Sequence, residues 1–112
     1  MQIETKEYFK EILKKLAKIL HFEAHVEQAT FLIKLYDLLD ENSIDEFERE
    51  INSGFMWGGA GAVWELHIMN QEIQKEYFKK LDKLILLMKQ ENIMGKMAES
   101  RLKTLEKILK KM

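Results

Sequence analysis

Phe55-Met56-Trp57-Gly58-Gly59-Ala60-Gly61-Ala62-Val63-Trp64-Glu65-Leu66 is the one stretch of this 112-residue chain that does not read as a long helix. Both tryptophans lie in it, and four of the five glycines lie between positions 54 and 61. Glycine this dense lets a backbone turn sharply or approach another backbone closely. On either side, apolar residues recur at three and four, the period of a helix. The expected fold is therefore all-α: about five helices in a compact bundle, one domain over residues 1–112, with a single Gly/Trp-rich loop at 54–62.

Upstream of that loop the stripes predict three helices. The first runs from Thr5 to Leu20, with Phe9, Ile12, Leu13, Leu16, Ile19 and Leu20 inward and Lys6, Lys10, Lys14 and Lys18 on the other side. His21-Phe22 reads as a corner. The second helix, Glu23 to Asp40, carries two apolar rows: Phe22, Val26, Ala29, Ile33 and Tyr36 beside Leu32, Leu35 and Leu39. A helix this apolar belongs at the centre of a bundle. Glu41-Asn42 breaks it. Ser43-Ile44-Asp45-Glu46 matches the capping box and opens a short third helix to Asn52, with Ile44, Phe47 and Ile51 inward. Gly54 is expected to end that helix at positive φ.

Downstream, Ala62 to Met69 reads as a short helix with Val63, Leu66 and His67 on its inner side. Asn70 is a suitable N-cap for a long helix to Asn92, striped by Ile73, Tyr77, Leu81, Leu84 and Met88. Gly95 is expected to cap its end. A last helix follows from Lys96 to Lys111, using Ala98, Leu102, Leu105, Leu109 and Met112.

Composition agrees with helices. There is no proline, which costs about 3 kcal/mol inside a helix. The absence of cysteine removes disulfides and thiolate metal sites. No leader-like or membrane-spanning apolar run is visible, so a cytoplasmic protein without a membrane partner is expected.

The net charge of −1 hides a pattern. Residues 1–20 sum to +2, residues 21–70 to −8 and residues 71–112 to +5. Asp37, Asp40, Glu41, Asp45, Glu46, Glu48 and Glu50 fall close together, offset only by Arg49. Basic helices packing on acidic ones would explain this, and so would an acidic face for a basic partner. Nucleic acid is not an expected partner: the lysines are interleaved with glutamates, and arginine is limited to Arg49 and Arg101.

Motifs for chemistry are incomplete. His21 and His25 have the spacing of a helical metal pair, but Phe22 stands where a zinc protease needs glutamate, and His67 is the only other histidine. Gly58-Gly59-Ala60-Gly61 lacks the strand before and the Lys-Ser/Thr after it that a phosphate loop requires. Asp37 to Glu41 and Asp45 to Glu48 space carboxylates as in magnesium-binding helical nucleotide hydrolases, but a facing cluster is needed. Glu72 and Glu76 share a face among lysines. No cofactor and no enzymatic activity are expected. Trp64 reads as core. Trp57 can be core or a contact anchor, as tryptophan often is at interfaces, and Met56 can lie exposed beside it.

The segment Trp57-Gly58-Gly59-Ala60-Gly61-Ala62-Val63-Trp64-Glu65-Leu66 resembles a motif of the type Phe-Gly-Gly-Met-Gly-Ser-Leu-Asn-Asp-Leu from a small helical bacterial family of unknown biochemistry. The match rests on the three glycines, Val63, the acid Glu65 and Leu66. Ala60, Ala62 and Trp64 depart from it, and with Ala62 and Trp64 the polar Ser and Asn are lost. Small helical proteins of this sort are similar to immunity proteins of toxin and contact-dependent growth inhibition systems. The resemblance implies an immunity or antitoxin-like inhibitor that binds a cognate toxin. The charge pattern suits a basic nuclease as that toxin, with Asp37, Asp40, Glu41, Asp45, Glu46 and Glu48 as the acidic surface and Trp57 as anchor. A metal-dependent nucleotide hydrolase and a homodimeric helical scaffold are the alternatives.

Overall fold

Leucine, lysine and glutamate at helical spacing form helices along almost the whole chain. The computed structural model describes residues 1–112, with α1 (Ile3–Phe22), α2 (Val26–Asp40), α3 (Ile44–Ile51), α4 (Gly54–Trp57), a 3-10 turn (Val63–Glu65), α5 (Gln71–Gln90) and α6 (Lys96–Lys111). No strand is present. Five helices have eight residues or more, and α4 is a single turn. The all-α class is as expected. The chain divides into two compact units, Met1–Ile51 and Asn52–Met112.

In the first unit α1 packs along α2, and α2 packs on α3. Phe9, Leu13, Leu16 and Leu20 of α1, Leu32, Leu35 and Leu39 of α2, and Phe47 and Ile51 of α3 are all fully buried. The Phe9 and Phe47 rings meet edge to face at 5.4 Å, a favoured aromatic geometry. Of the two apolar rows on α2, the structure buries the leucine row. The other row stays largely outside: Phe22 is 83% exposed, Val26 55% and Ile33 43%.

His21-Phe22 is not the corner. Both belong to the last turn of α1, and the reversal falls at Glu23–His25. There Ala24 adopts φ 65°, the Ala24 N–H donates to the His21 carbonyl, and the His25 N–H donates to the Leu20 carbonyl. The same left-handed cap ends α2 at Asn42 (φ 61°) and α5 at Asn92 (φ 59°). Asparagine tolerates this conformation, whereas alanine carries the full Cβ penalty. Ala24→Gly is therefore expected to stabilise the protein by about 0.5–1 kcal/mol, after the greater freedom of glycine in the unfolded chain is subtracted. Thermal melting should show a rise of roughly 2–4 °C. An unchanged or lower Tm would show that the turn carries no strain.

The second unit begins with Asn52, whose side chain holds a distant turn. Its Nδ2 donates to the Ile93 carbonyl and its Oδ1 accepts from the Gly95 N–H, both at 2.8 Å. Gly95 is the N-cap of α6 in extended conformation, and the expected C-cap role falls to Asn92. Gly54 likewise does not end α3 at positive φ; it opens α4, and only Gly61 among the glycines has positive φ, at 85°. The expected helix from Ala62 to Met69 reduces to the 3-10 turn. Beyond it the chain is extended, burying Leu66 and Ile68 and exposing His67 and Met69 by alternation.

That irregular segment is held by α5. The buried Tyr77 hydroxyl donates to the Val63 carbonyl at 2.7 Å, and buried Gln74 accepts the Ile68 N–H at 2.7 Å. Asn70 caps α5 as expected, its side chain accepting from the Ile73 N–H. Tyr77, Leu81, Leu84, Ile85 and Met88 of α5 and Ala98 and Leu105 of α6 are fully buried, and the two helices pack together.

One charge fits this packing badly. Asp82 of α5 has a buried Oδ1 with no hydrogen-bond partner. Burial raises its carboxyl pKa, and the Glu106 charge adds to the rise. The folded state thus holds the proton more tightly than the unfolded state, so stability falls as pH climbs through that window and stays lower above it. Asp82→Asn is expected to raise Tm at pH 7. The gain should fade as pH drops and disappear below about pH 3, where the aspartate is protonated in both states. A gain independent of pH would mean that burial of charge is not its source.

Candidate functional site

The acidic residues gather at the end of α2 and the start of α3. Asp37 and Asp40 lie in the last turn of α2, Glu41 is its C-cap, and Asp45 and Glu46 occupy the first turn of α3. Asp37, Asp40, Glu41, Asp45 and Glu48 are exposed, and Glu46 is half-buried. For α3 this placement is favourable, since carboxylates meet the positive end of the helix dipole. For α2 it is the reverse. The last turn has no basic residue, and its two aspartates add to the negative end of the dipole.

Part of this charge is neutralised within the unit. Lys10 of α1 donates to Asp40 Oδ1 at 2.8 Å, lies 3.6 Å from Glu7 and stands 5.1 Å from the centre of the Tyr36 ring. The hydrogen bond from Lys10, and then its charge, hold Asp40 below the usual carboxylate range; the same bond raises Lys10. Lys6 donates to the Asn42 side chain at 2.8 Å, and Lys34 lies 3.7 Å from Glu50. Asp40 and Glu50 are thus engaged, which leaves Asp37, Glu41 and Asp45 as the exposed acids where α2 ends and α3 begins.

Trp57, the expected anchor, offers no side-chain surface to solvent. Its side chain is fully buried, as is that of Met56, and Trp64 is the half-buried tryptophan. Trp57, which the sequence left open between core and anchor, is core, and Trp64, read as core, is only half-buried. Trp64 Nε1 donates to the Gly58 carbonyl at 2.7 Å. Arg101 of α6 covers the Trp64 ring at 4.3 Å, and donates through Nε to the Trp57 carbonyl at 2.8 Å and through Nη2 to the Gly58 carbonyl at 3.3 Å. The glycine loop is therefore a fixed structural joint. Sequence reasoning missed Arg101; the available signal was one of two arginines in a chain with sixteen lysines.

The other sequence motifs do not assemble. His21 ends α1 and His25 lies beyond the reversal at the N-cap of α2, so the pair shares no helix face. Glu76 faces Lys79 and Lys80 at 3.7 and 3.5 Å. No three His, Cys, Asp or Glu side chains converge closely enough to hold an ion. In the glycine loop the Ala62 N–H turns back to the Gly59 carbonyl. No helix is long and apolar enough to cross a membrane. No protein-family model, curated protein or solved structure matches the chain.

Proposed function

We propose that this chain is an immunity or antitoxin-like protein of the bacterial cytoplasm that neutralises a basic toxin domain by binding it. The observation that supports this reading is the exposed set Asp37, Glu41 and Asp45, gathered where the negative end of α2 meets the start of α3. A surface that keeps like charges together at an electrostatic cost is suited to steering a cationic partner. Covering the nucleic-acid site of a nuclease with such a surface would exclude its substrate. The glycine segment adds the resemblance to a bacterial helical family, and Trp57 takes no part in the contact.

The test begins with affinity capture from native lysate and identification of the partner by mass spectrometry. Charge reversal at Asp37, Glu41 and Asp45 should then slow association about 10- to 100-fold and flatten its salt dependence. Asp40→Asn should do less, because Lys10 already neutralises that carboxylate. A partner that is itself acidic, or binding and salt dependence untouched by the reversal, defeats the proposal.

A further inference from the structure

A second surface lies within the first unit, away from the acidic helix ends. A groove of about 500 Å3 runs between α1 and α2. Lys14, Lys18 and His21 line it from α1, with Ala17 between them. Ala29, Thr30 and Ile33 line it from α2.

Both walls have helical order. The three basic side chains stand at i, i+4 and i+7 on α1, one row about 10 Å long. Val26 lies one turn before Ala29 and Thr30, so Val26, Ala29, Thr30 and Ile33 form a parallel row of the same length on α2. Ala17 and Ala29 keep the floor low, being small and almost wholly buried. Val26 and Ile33 remain substantially exposed, which is a cost unless something covers them. Between His25 and Tyr36 the only acid is Glu27, so the groove is bordered mainly by positive charge. Of the acids flanking this row along the chain, Glu11 is paired with Lys15 at 2.8 Å, and Glu23 is the half-buried C-cap of α1.

We infer that this groove seats an acidic amphipathic helix from a partner protein. A helix laid between the walls meets apolar and small side chains along one flank, and the Lys14 and Lys18 ammonium groups with the His21 imidazole along the other. Its own carboxylates at i, i+4 and i+7 would match the spacing of Lys14, Lys18 and His21, while apolar residues at the same period would cover Val26 and Ile33. This is helix-in-groove recognition with charge setting the orientation. A concave channel with its cations on one wall accepts a cylinder better than the flat surface of a bilayer.

The probe is a synthetic peptide of about 18 residues, long enough to hold a helix, with a glutamate row beside a leucine row. A twin carries lysine in place of glutamate. Each is titrated into the isotope-labelled full chain and followed by amide shifts. The acidic peptide should move Ala17, His21, Ala29 and Ile33, and the lysine twin should not. Replacing Lys14 and Lys18 by glutamate should weaken binding about tenfold. Both side chains are exposed, so the fold should survive. Thr30→Trp should block the groove without changing its charge. Absence of shifts in the groove, unchanged affinity after the lysine reversal, or capture of phosphatidylglycerol vesicles in place of the peptide would each overturn the assignment. None of these results bears on the acidic end of α2, so this inference and the toxin-binding proposal fail separately.

Discussion

Gly58→Ala is expected to destabilise the protein by about 2–3 kcal/mol, a fall in Tm of roughly 10 °C, although it adds one methyl group. The cause is a backbone contact. A Cβ at position 58 would lie 2.5 Å from the Gly54 carbonyl oxygen and 3.2 Å from its carbon. That oxygen already accepts the Gly58 N–H at 2.7 Å, the bond that closes α4. The methyl group has no flexible side chain to push aside, so the α4 turn must open or Gly58 must move. Moving it disturbs the Gly58 carbonyl, which receives Trp64 Nε1 and Arg101 Nη2. Gly59→Ala supplies the control: nothing lies within 4 Å of its Cβ position, and its φ is not in the left-handed region. Melting curves of the two variants should separate clearly, and equal curves would remove the steric argument.

This result would also define the glycine segment. Gly58 is required by a contact and Gly61 by its φ of 85°, while Gly59 is required by neither. A loop that holds a ligand with its backbone would expose N–H groups. Here the loop carbonyls are instead consumed by Trp64, Tyr77 and Arg101 side chains. The segment is better explained as a joint than as a recognition loop.

The fold was legible where a single stripe leaves no choice of face. α1 and α5 have such stripes, and their buried residues follow them. On α2 the apolar surface is too wide to have one inward face. Neighbouring helices decide which row is covered, and periodicity carries no information about them. Helix ends divide in the same way. Asn42 and Asn92 are residue types suited to a left-handed cap, but Ala24 gives no such signal, so the reversal was expected too early. The stretch after Val63 failed for another reason. Its Leu-His-Ile-Met alternation is short, and the tertiary hydrogen bonds from Gln74 and Tyr77 that keep it extended come from α5.

The candidate site was legible as a concentration of acid and illegible as a pattern of pairing. Lys10 and Asp40 are 30 residues apart, and only the packing of α1 along α2 brings them together. Without that contact Asp40 would count equally with Asp37 and Asp45. Trp64 was misread as core and Trp57 was left open, because burial of a ring depends on what reaches it. Arg101 lies 44 residues from Trp57, and its side chain settles the geometry of the whole loop.

Arg101 therefore carries the second large effect. Arg101→Ala is expected to cost about 2–3 kcal/mol, since it removes charge-assisted bonds to two carbonyls and the cation above the Trp64 ring. Arg101→Lys retains the charge but should recover less than half of the loss. A lysine ammonium has neither the planar fork that serves Trp57 and Gly58 together nor the flat face that stacks on indole. The readout that separates this from a general loss of packing is fluorescence. Trp64 is half-buried beneath the guanidinium, whereas Trp57 is fully buried. In folded Arg101→Ala, emission should shift to the red, and quenching by iodide should increase for one tryptophan of the two. If Arg101→Lys melts with the wild type, charge alone holds the loop. If quenching rises for both tryptophans, Arg101 supports the core of its unit and not the joint alone.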